Sequence, residues 1–108
     1  MTLDYTPEAL IDLNVIWDWN AQQYGNVHAD AYIEFLRRQT DRLDTEYGRG
    51  RIVRTASPLR YQLIRRRKKG HGHVVVYEVR AGNLVRILRY FHSARDWQTK
   101  LAADLGDH

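Results

Sequence analysis

The sequence contains no cysteine. Disulfides and thiolate metal sites are therefore excluded. The core of this 108-residue chain must form without covalent staples. A chain of this size buries roughly two thirds of its unfolded surface on folding, which is enough for one core. The expectation is one domain over residues 1–108. No segment approaches the ~20 consecutive apolar residues that cross a bilayer. The N-terminus, Met1-Thr-Leu-Asp-Tyr5, has neither the basic region nor the apolar run of a secretory signal. A cytoplasmic location with no membrane partner is expected. Repeats and low-complexity tracts are also missing.

Base is scarce in one half of the chain and acid in the other. Residues 1–48 hold three Lys and Arg against nine Asp and Glu, a balance of −6. Residues 49–108 hold fourteen against four, a balance of +10. Lysine is rare even there, since fourteen of the seventeen cations are arginine. Arginine presents a planar, permanently charged fork that suits carboxylate and phosphate and desolvates more easily than lysine. A basic half of this kind suits nucleic acid, an acidic protein partner, or solubility alone.

Helical signals fill the acidic half. Thr6-Pro7-Glu8 combines an N-cap residue, a proline tolerated at the first helical position, and an acid at the positive end of the helix dipole. Leu10, Leu13, Trp17, Ala21 and Tyr24 then recur at helical spacing and predict one apolar face. Gly25-Asn26 ends this helix. A second is predicted from about Val27 to Glu46, with Ala29, Tyr32, Leu36, Thr40, Leu43 and Tyr47 as its stripe and Ile33 beside it. So short a break implies an antiparallel hairpin.

Strand signals fill the basic half. Residues 48–58 read as loop. Leu59–Arg65 alternates Leu59, Tyr61 and Leu63 against Arg60 and Gln62. Arg66–Gly72 is a charged turn, and the run Arg65–Lys69 is usually a solvated tip and less often a nucleic-acid contact. His73–Val79 is a central strand, because Val74-Val75-Val76 is unbroken and wants cover on both faces. Gly82-Asn83 supplies the positive φ angles of a tight hairpin loop before Leu84–Tyr90. Ser93 and Asp96 resemble a capping box for a last helix of about ten residues carrying Trp97 and Leu101. Residues 104–108 are expected to fray, and Leu3 and Tyr5 could add an edge strand. Helices first and a meander after predict an α+β fold: an N-terminal helical hairpin packed on an antiparallel β-sheet, with a short C-terminal helix. The concentrated arginines are expected on the other sheet face. Leu13, Trp17, Leu36, Leu43, Val75 and Ile87 are the expected core, and the last strand should be apolar on both sides.

Arg89, His92 and Arg95 gather where that strand runs out. They could clamp an anion, with His92 moving a proton. Alternatively His92 caps the strand end while the arginines pair with Asp96 or Glu78. A general base would have to come from Glu78, Tyr90 or Asp96, and nothing in the sequence marks one out. His71 and His73 flank Gly72, but they have cationic neighbours and no adjacent acid, so no metal site and no cofactor are expected. Trp17 and Trp19 cannot share one helix face. Trp19 belongs at an edge or to a partner, and Tyr90 is expected to be an exposed aromatic as well.

The order of these blocks resembles the ParE/RelE toxin superfamily of type II toxin–antitoxin modules, and within it the ParE branch. The blocks are Thr6-Pro7-Glu8-Ala9, Asp12-Leu13, Ile16-Trp17-Asp18-Trp19, Gly48-Arg49, Leu59-Arg60, His73–Tyr77, Val85–Arg89 and His92-Ser-Ala-Arg-Asp96. The resemblance spans about residues 3–97. It implies a RelE/ParE-like fold and a cognate antitoxin whose acidic or amphipathic segment wraps the toxin. It further implies inhibition of DNA gyrase, with no chemistry of the chain's own, as in a plasmid stabilization module. The matching basic positions are Arg49, Arg60, Arg89, His92 and Arg95. Two alternatives stay open. One is a RelE-like endoribonuclease acting on mRNA at the ribosome, using Arg89, His92 and Arg95. The basic run Arg65–Lys69 suits it, whereas the continuation into Arg95-Asp96-Trp97 and a helix suits the ParE branch. The other is an inactive relic that only binds its antitoxin.

Overall fold

The computed structural model describes residues 1–67 and 71–106, so part of the basic run Arg65–Lys69 lies outside the described residues. Thr6 starts the first helix as predicted. Its hydroxyl accepts the Ala9 N–H at 3.1 Å, with Pro7 at the first helical position. This helix, α1, runs Pro7–Tyr24. It ends at Gly25, whose φ of 93° suits glycine and strains other residues. The same glycine begins α2, Asn26–Asp41, which packs back along α1.

The second helix does not continue unbroken to Glu46. Thr40 turns its hydroxyl onto the Leu36 carbonyl at 2.8 Å, a back-bond that bends helices. The chain kinks at Arg42 into a short α3, Leu43–Glu46, and a 3-10 turn at Tyr47–Arg49.

Among the described residues, five strands form one sheet: β1 Thr2–Tyr5, β2 Arg51–Ile52, β3 Arg60–Ile64, β4 His73–Arg80 and β5 Leu84–His92. Their order is β1-β5-β4-β3-β2. The meander from β2 to β5 is antiparallel, while β1 joins the edge of β5 in parallel, Thr2 opposite Leu84 and Tyr5 opposite Ile87. Strand β2 lies in the stretch read as loop; two residues are too few to show alternation. Gly82 and Asn83 take φ of 84° and 62°, as the β4–β5 turn requires. Helix α4, Trp97–Gly106, closes the chain.

Strand β4 is buried on both faces. Val75 and Tyr77 join Ala9, Leu13, Ile16, Leu36, Leu43, Val85 and Ile87 under the helical hairpin. Val74 and Val76 join Val53, Leu59, Phe91, Trp97 and Leu101 on the opposite face. That second face was expected to carry arginine. It is instead a second core, roofed by α4.

Three further expectations are corrected. The buried face of α1 is Ala9, Leu13, Ile16 and Asn20, while Leu10 and Tyr24 are exposed. Trp17 is only half-buried and bonds Asp30 on α2 at 2.8 Å, so it stitches the hairpin rather than filling the core. On β3, Ile64 is buried and Leu63 exposed, because the hairpin side, not the Tyr61 side, is covered at that end. The other named core residues are buried, and β5 is apolar on both sides, with Leu88 packed on the second core.

Candidate functional site

Strand β1 pairs with β5 only as far as Ile87. Beyond it, the edge of β5 is satisfied by side chains. The Thr6 hydroxyl donates to the Leu88 carbonyl at 2.8 Å, and Asp12 accepts the Tyr90 N–H at 2.9 Å. The register shifts here, with Ile87 opposite Tyr77 and Arg89 opposite Val76, so Leu88 is the extra residue of a bulge. Bulges re-aim side chains. Arg89 reaches Asp12 with Nε at 2.7 Å and Nη2 at 3.1 Å, while Nη1 meets Asp104 on α4. Its guanidinium also lies 4.8 Å from the centre of the Phe91 ring. The Asp12 hydrogen bonds and the charges of both carboxylates raise the Arg89 pKa above its ordinary value, against the opposing effect of burial.

The end of the sheet opens into a groove of about 1080 Å³. Its floor is Tyr90–His92 beside Gly72 and His73. Val15, Trp19 and Tyr24 from the hairpin make one wall, largely apolar and exposed. Arg66, Arg67, Arg95 and Lys100 make the cationic side. Three imidazoles meet here: the His73 and His92 ring centres are 5.5 Å apart, and those of His71 and His92 are 5.8 Å apart. The Tyr32 hydroxyl lies 2.6 Å from His73 Nδ1, and the Ala94 N–H donates to His92 Nδ1 at 3.1 Å. Burial lowers the His73 pKa to about 4, helped by the charge of His92. Burial also lowers that of His92, with His71 and Arg95 adding to it.

The structure thus brings Arg89, His92 and Arg95 to one groove. Arg49 and Arg60 lie apart from it. Arg49 is exposed on a smaller hollow of about 350 Å³ and pairs with Glu46 at 3.3 Å. Arg60 donates to the Gly50 carbonyl at 2.8 Å, and Tyr77 bonds the Tyr47 carbonyl at 2.7 Å, so both fasten the bend before β2. Neither expected pairing partner of Arg89 is used. Glu78 sits 3.6 Å from Arg80, and Asp96 caps α4 through Thr99. Ser93, expected to share that cap, instead accepts the Gly72 N–H at 2.8 Å. Tyr90, expected to be exposed, is 3% accessible and bonded to Thr40 at 2.7 Å. Burial raises its pKa, so it holds its proton. Trp19, 55% accessible, is at the edge as expected.

Asp12 and Asp104 escaped the sequence reading as partners of Arg89. A signal for Asp12 existed: Ala9, Asp12, Leu13 and Ile16 follow i, i+3, i+4, i+7, which puts a carboxylate on the buried helix face, where it needs a cation. Asp104 carried no comparable signal. Among the described residues, no group of three or more His, Cys, Asp or Glu is arranged to hold a metal, and no helix is long and apolar enough to cross a membrane.

This combination of hairpin, five-stranded sheet and closing helix is the fold of a solved structure described as the chromosomal ParDE TA system from P. aeruginosa. The TM-score is 0.73 at 22% identity, covering 85% of this chain and 95% of that one. The family model described as ParE toxin of type II toxin-antitoxin system, parDE, matches residues 3–97, and the chain belongs to that family. No curated protein sequence matches it.

Proposed function

We propose that this ParE-family toxin acts in the cytoplasm by binding and inhibiting DNA gyrase, and that a cognate antitoxin neutralises it by occupying the groove. The observation that carries this reading is the commitment of Arg89. Cleavage of mRNA by a RelE-like route needs a mobile cation and a proton-transfer group at the end of β5. Here Arg89 is held by Asp12 and Asp104, and Tyr90 is sealed against Thr40. Both residues build the fold, so they are poorly disposed to stabilise a developing phosphorane charge. The groove instead offers an apolar wall beside a cationic side, which suits an amphipathic acidic protein segment.

Arg49, His92 and Arg95 remain proposed contacts for the target or the antitoxin, while Arg89, held by Asp12 and Asp104, shapes the groove. In this reading Arg60 contributes by shaping the bend that carries Arg49. Expression of the chain alone tests the proposal. DNA breaks with intact mRNA, reversed by co-expression of an acidic antitoxin, is the expected result. Ribosome-dependent mRNA cleavage by the purified chain, lost in His92→Gln, overturns it in favour of the nuclease.

A further inference from the structure

We propose that His73 and His92 form a carboxylate-binding subsite in the groove, taking an acidic side chain of an amphipathic peptide segment. The argument begins with tautomers. A backbone N–H can only donate, so the Ala94 N–H requires a lone pair on His92 Nδ1. The proton of the neutral ring is then on Nε2. At His73 the Tyr32 phenol, whose pKa burial pushes up to about 12, keeps its proton; with the phenol donating to Nδ1, Nε2 carries the ring proton. Both rings line the groove. They offer it N–H donors rather than lone pairs, which is the wrong chemistry for a metal ion and the right one for an oxyanion. Hydrogen bonds of about 2.9 Å from rings 5.5 Å apart can converge on one carboxylate.

The surroundings reinforce this. Arg66 and Arg67 face the pair from the β3–β4 connection, with His71 beside them; Arg95 and Lys100 face it from the α4 side. From α2 come Tyr32 and His28, and from α1 Tyr24 and Asp12, the latter already bound to Arg89 on β5. Burial, the neighbouring imidazoles and, at His92, Arg95 all disfavour the protonated rings, and an anion would draw protons onto them. A peptide fits better than nucleic acid because the groove is also lined by the exposed Val15 and Trp19 on a helix region without cations: residues 1–36 contain no Lys or Arg.

The inference deepens the antitoxin part of the proposed function and rests on it. Its test uses neither antitoxin nor gyrase, so it can fail while gyrase inhibition stands, and the reverse. Histidine-labelled protein is titrated with a capped peptide of alternating glutamate and leucine, with the matching glutamine–leucine peptide, and with a uridine oligonucleotide. The glutamate peptide should move the His73 and His92 ring-nitrogen resonances together and saturably, and bind several-fold more tightly at pH 6 than at pH 8, the effect of a ring that is neutral in the free protein and takes up a proton in the complex. His92→Ala should weaken it at least about fivefold at pH 6, roughly one charge-assisted hydrogen bond. His92→Gln keeps an N–H donor but cannot take up a proton. It should retain the affinity at pH 8 and lose most of the gain at pH 6. Unmoved resonances, equal binding of the glutamine peptide, affinity independent of pH, or tighter binding of the oligonucleotide each overturns the proposal.

Discussion

Asp12 ties α1 to β5 with one carboxylate, which meets both the Arg89 guanidinium and the Tyr90 N–H at the sheet edge. Both ion-pair partners are mostly shielded, with Asp12 15% and Arg89 21% accessible. Removing Asp12 leaves a half-buried cation and a backbone donor without their acceptor. Asp12→Ala should therefore lower stability by about 2–3 kcal/mol, read as the urea midpoint. Asp104 is 42% accessible, so Asp104→Ala should cost less than about 1 kcal/mol. Equal losses would mean that Arg89 is anchored by charge alone rather than by the bidentate fit. A second residue-scale consequence concerns His73. Its folded pKa of about 4 lies below the ordinary 6.5, so the unfolded chain takes up the proton first. Above pH 6.5 both states are neutral and the contribution is flat. As pH falls from 6.5 to 4, stability should drop by up to about 3 kcal/mol, then level off. Carboxylates titrate in the same window, so the measurement is a difference: the acid-side loss should be smaller in His73→Gln than in the parent, and parallel curves would place His73 in contact with water.

Elements with local causes were legible in the sequence. The Thr6-Pro7 start, the Gly25 reversal, the Val74–Val76 run of a central strand and the Gly82-Asn83 turn each depend on a few adjacent residues, and each stands where expected. The rotation of α1 was not legible, because Leu10, Ile11, Leu13, Val15, Ile16 and Trp17 leave hardly any polar face to fix the period. Only the packing of Leu13 and Ile16 against Leu36 and the sheet chooses the side. The site was half legible. Its basic groups were visible at Arg89, His92 and Arg95, but Asp12, which holds Arg89, is 77 residues away from it in the sequence. Helix α4 was expected by length and capping, yet its task was not: Trp97 stacks on Phe91, and its edge meets Tyr61 with ring centres 4.7 Å apart. Leu101, 2% accessible, completes that roof. Leu101→Ala should therefore cost about 2–4 kcal/mol in thermal or urea unfolding, as a core truncation does. Trp17→Phe should cost only about 1 kcal/mol, the worth of the indole bond to Asp30. A larger loss from Trp17→Phe than from Leu101→Ala would reverse this assignment of core and seam.

At the scale of the molecule, the −6 and +10 halves of the chain meet around the groove. The β3–β4 connection, the β5–α4 connection and α4 bring the cations; α1 brings exposed apolar surface at Val15 and Trp19 with acid nearby. An acidic partner approaching from solution feels the cationic side at long range, since charge acts over roughly 10 Å at 0.1 M salt and apolar contact acts only on touching. Association and residence should then separate. Raising salt from 0.05 to 0.5 M should slow association with an acidic antitoxin by about tenfold or more, while dissociation changes little. Trp19→Ala should do the opposite, leaving the association rate near its parent value and speeding dissociation by on the order of tenfold, a typical effect of removing an aromatic anchor. Arg66→Ala combined with Arg67→Ala should flatten the salt dependence. Stopped-flow or surface-based kinetics measures all three. An association rate that is unchanged across the salt series would remove steering from the account and leave the groove recognised by shape and apolar contact alone.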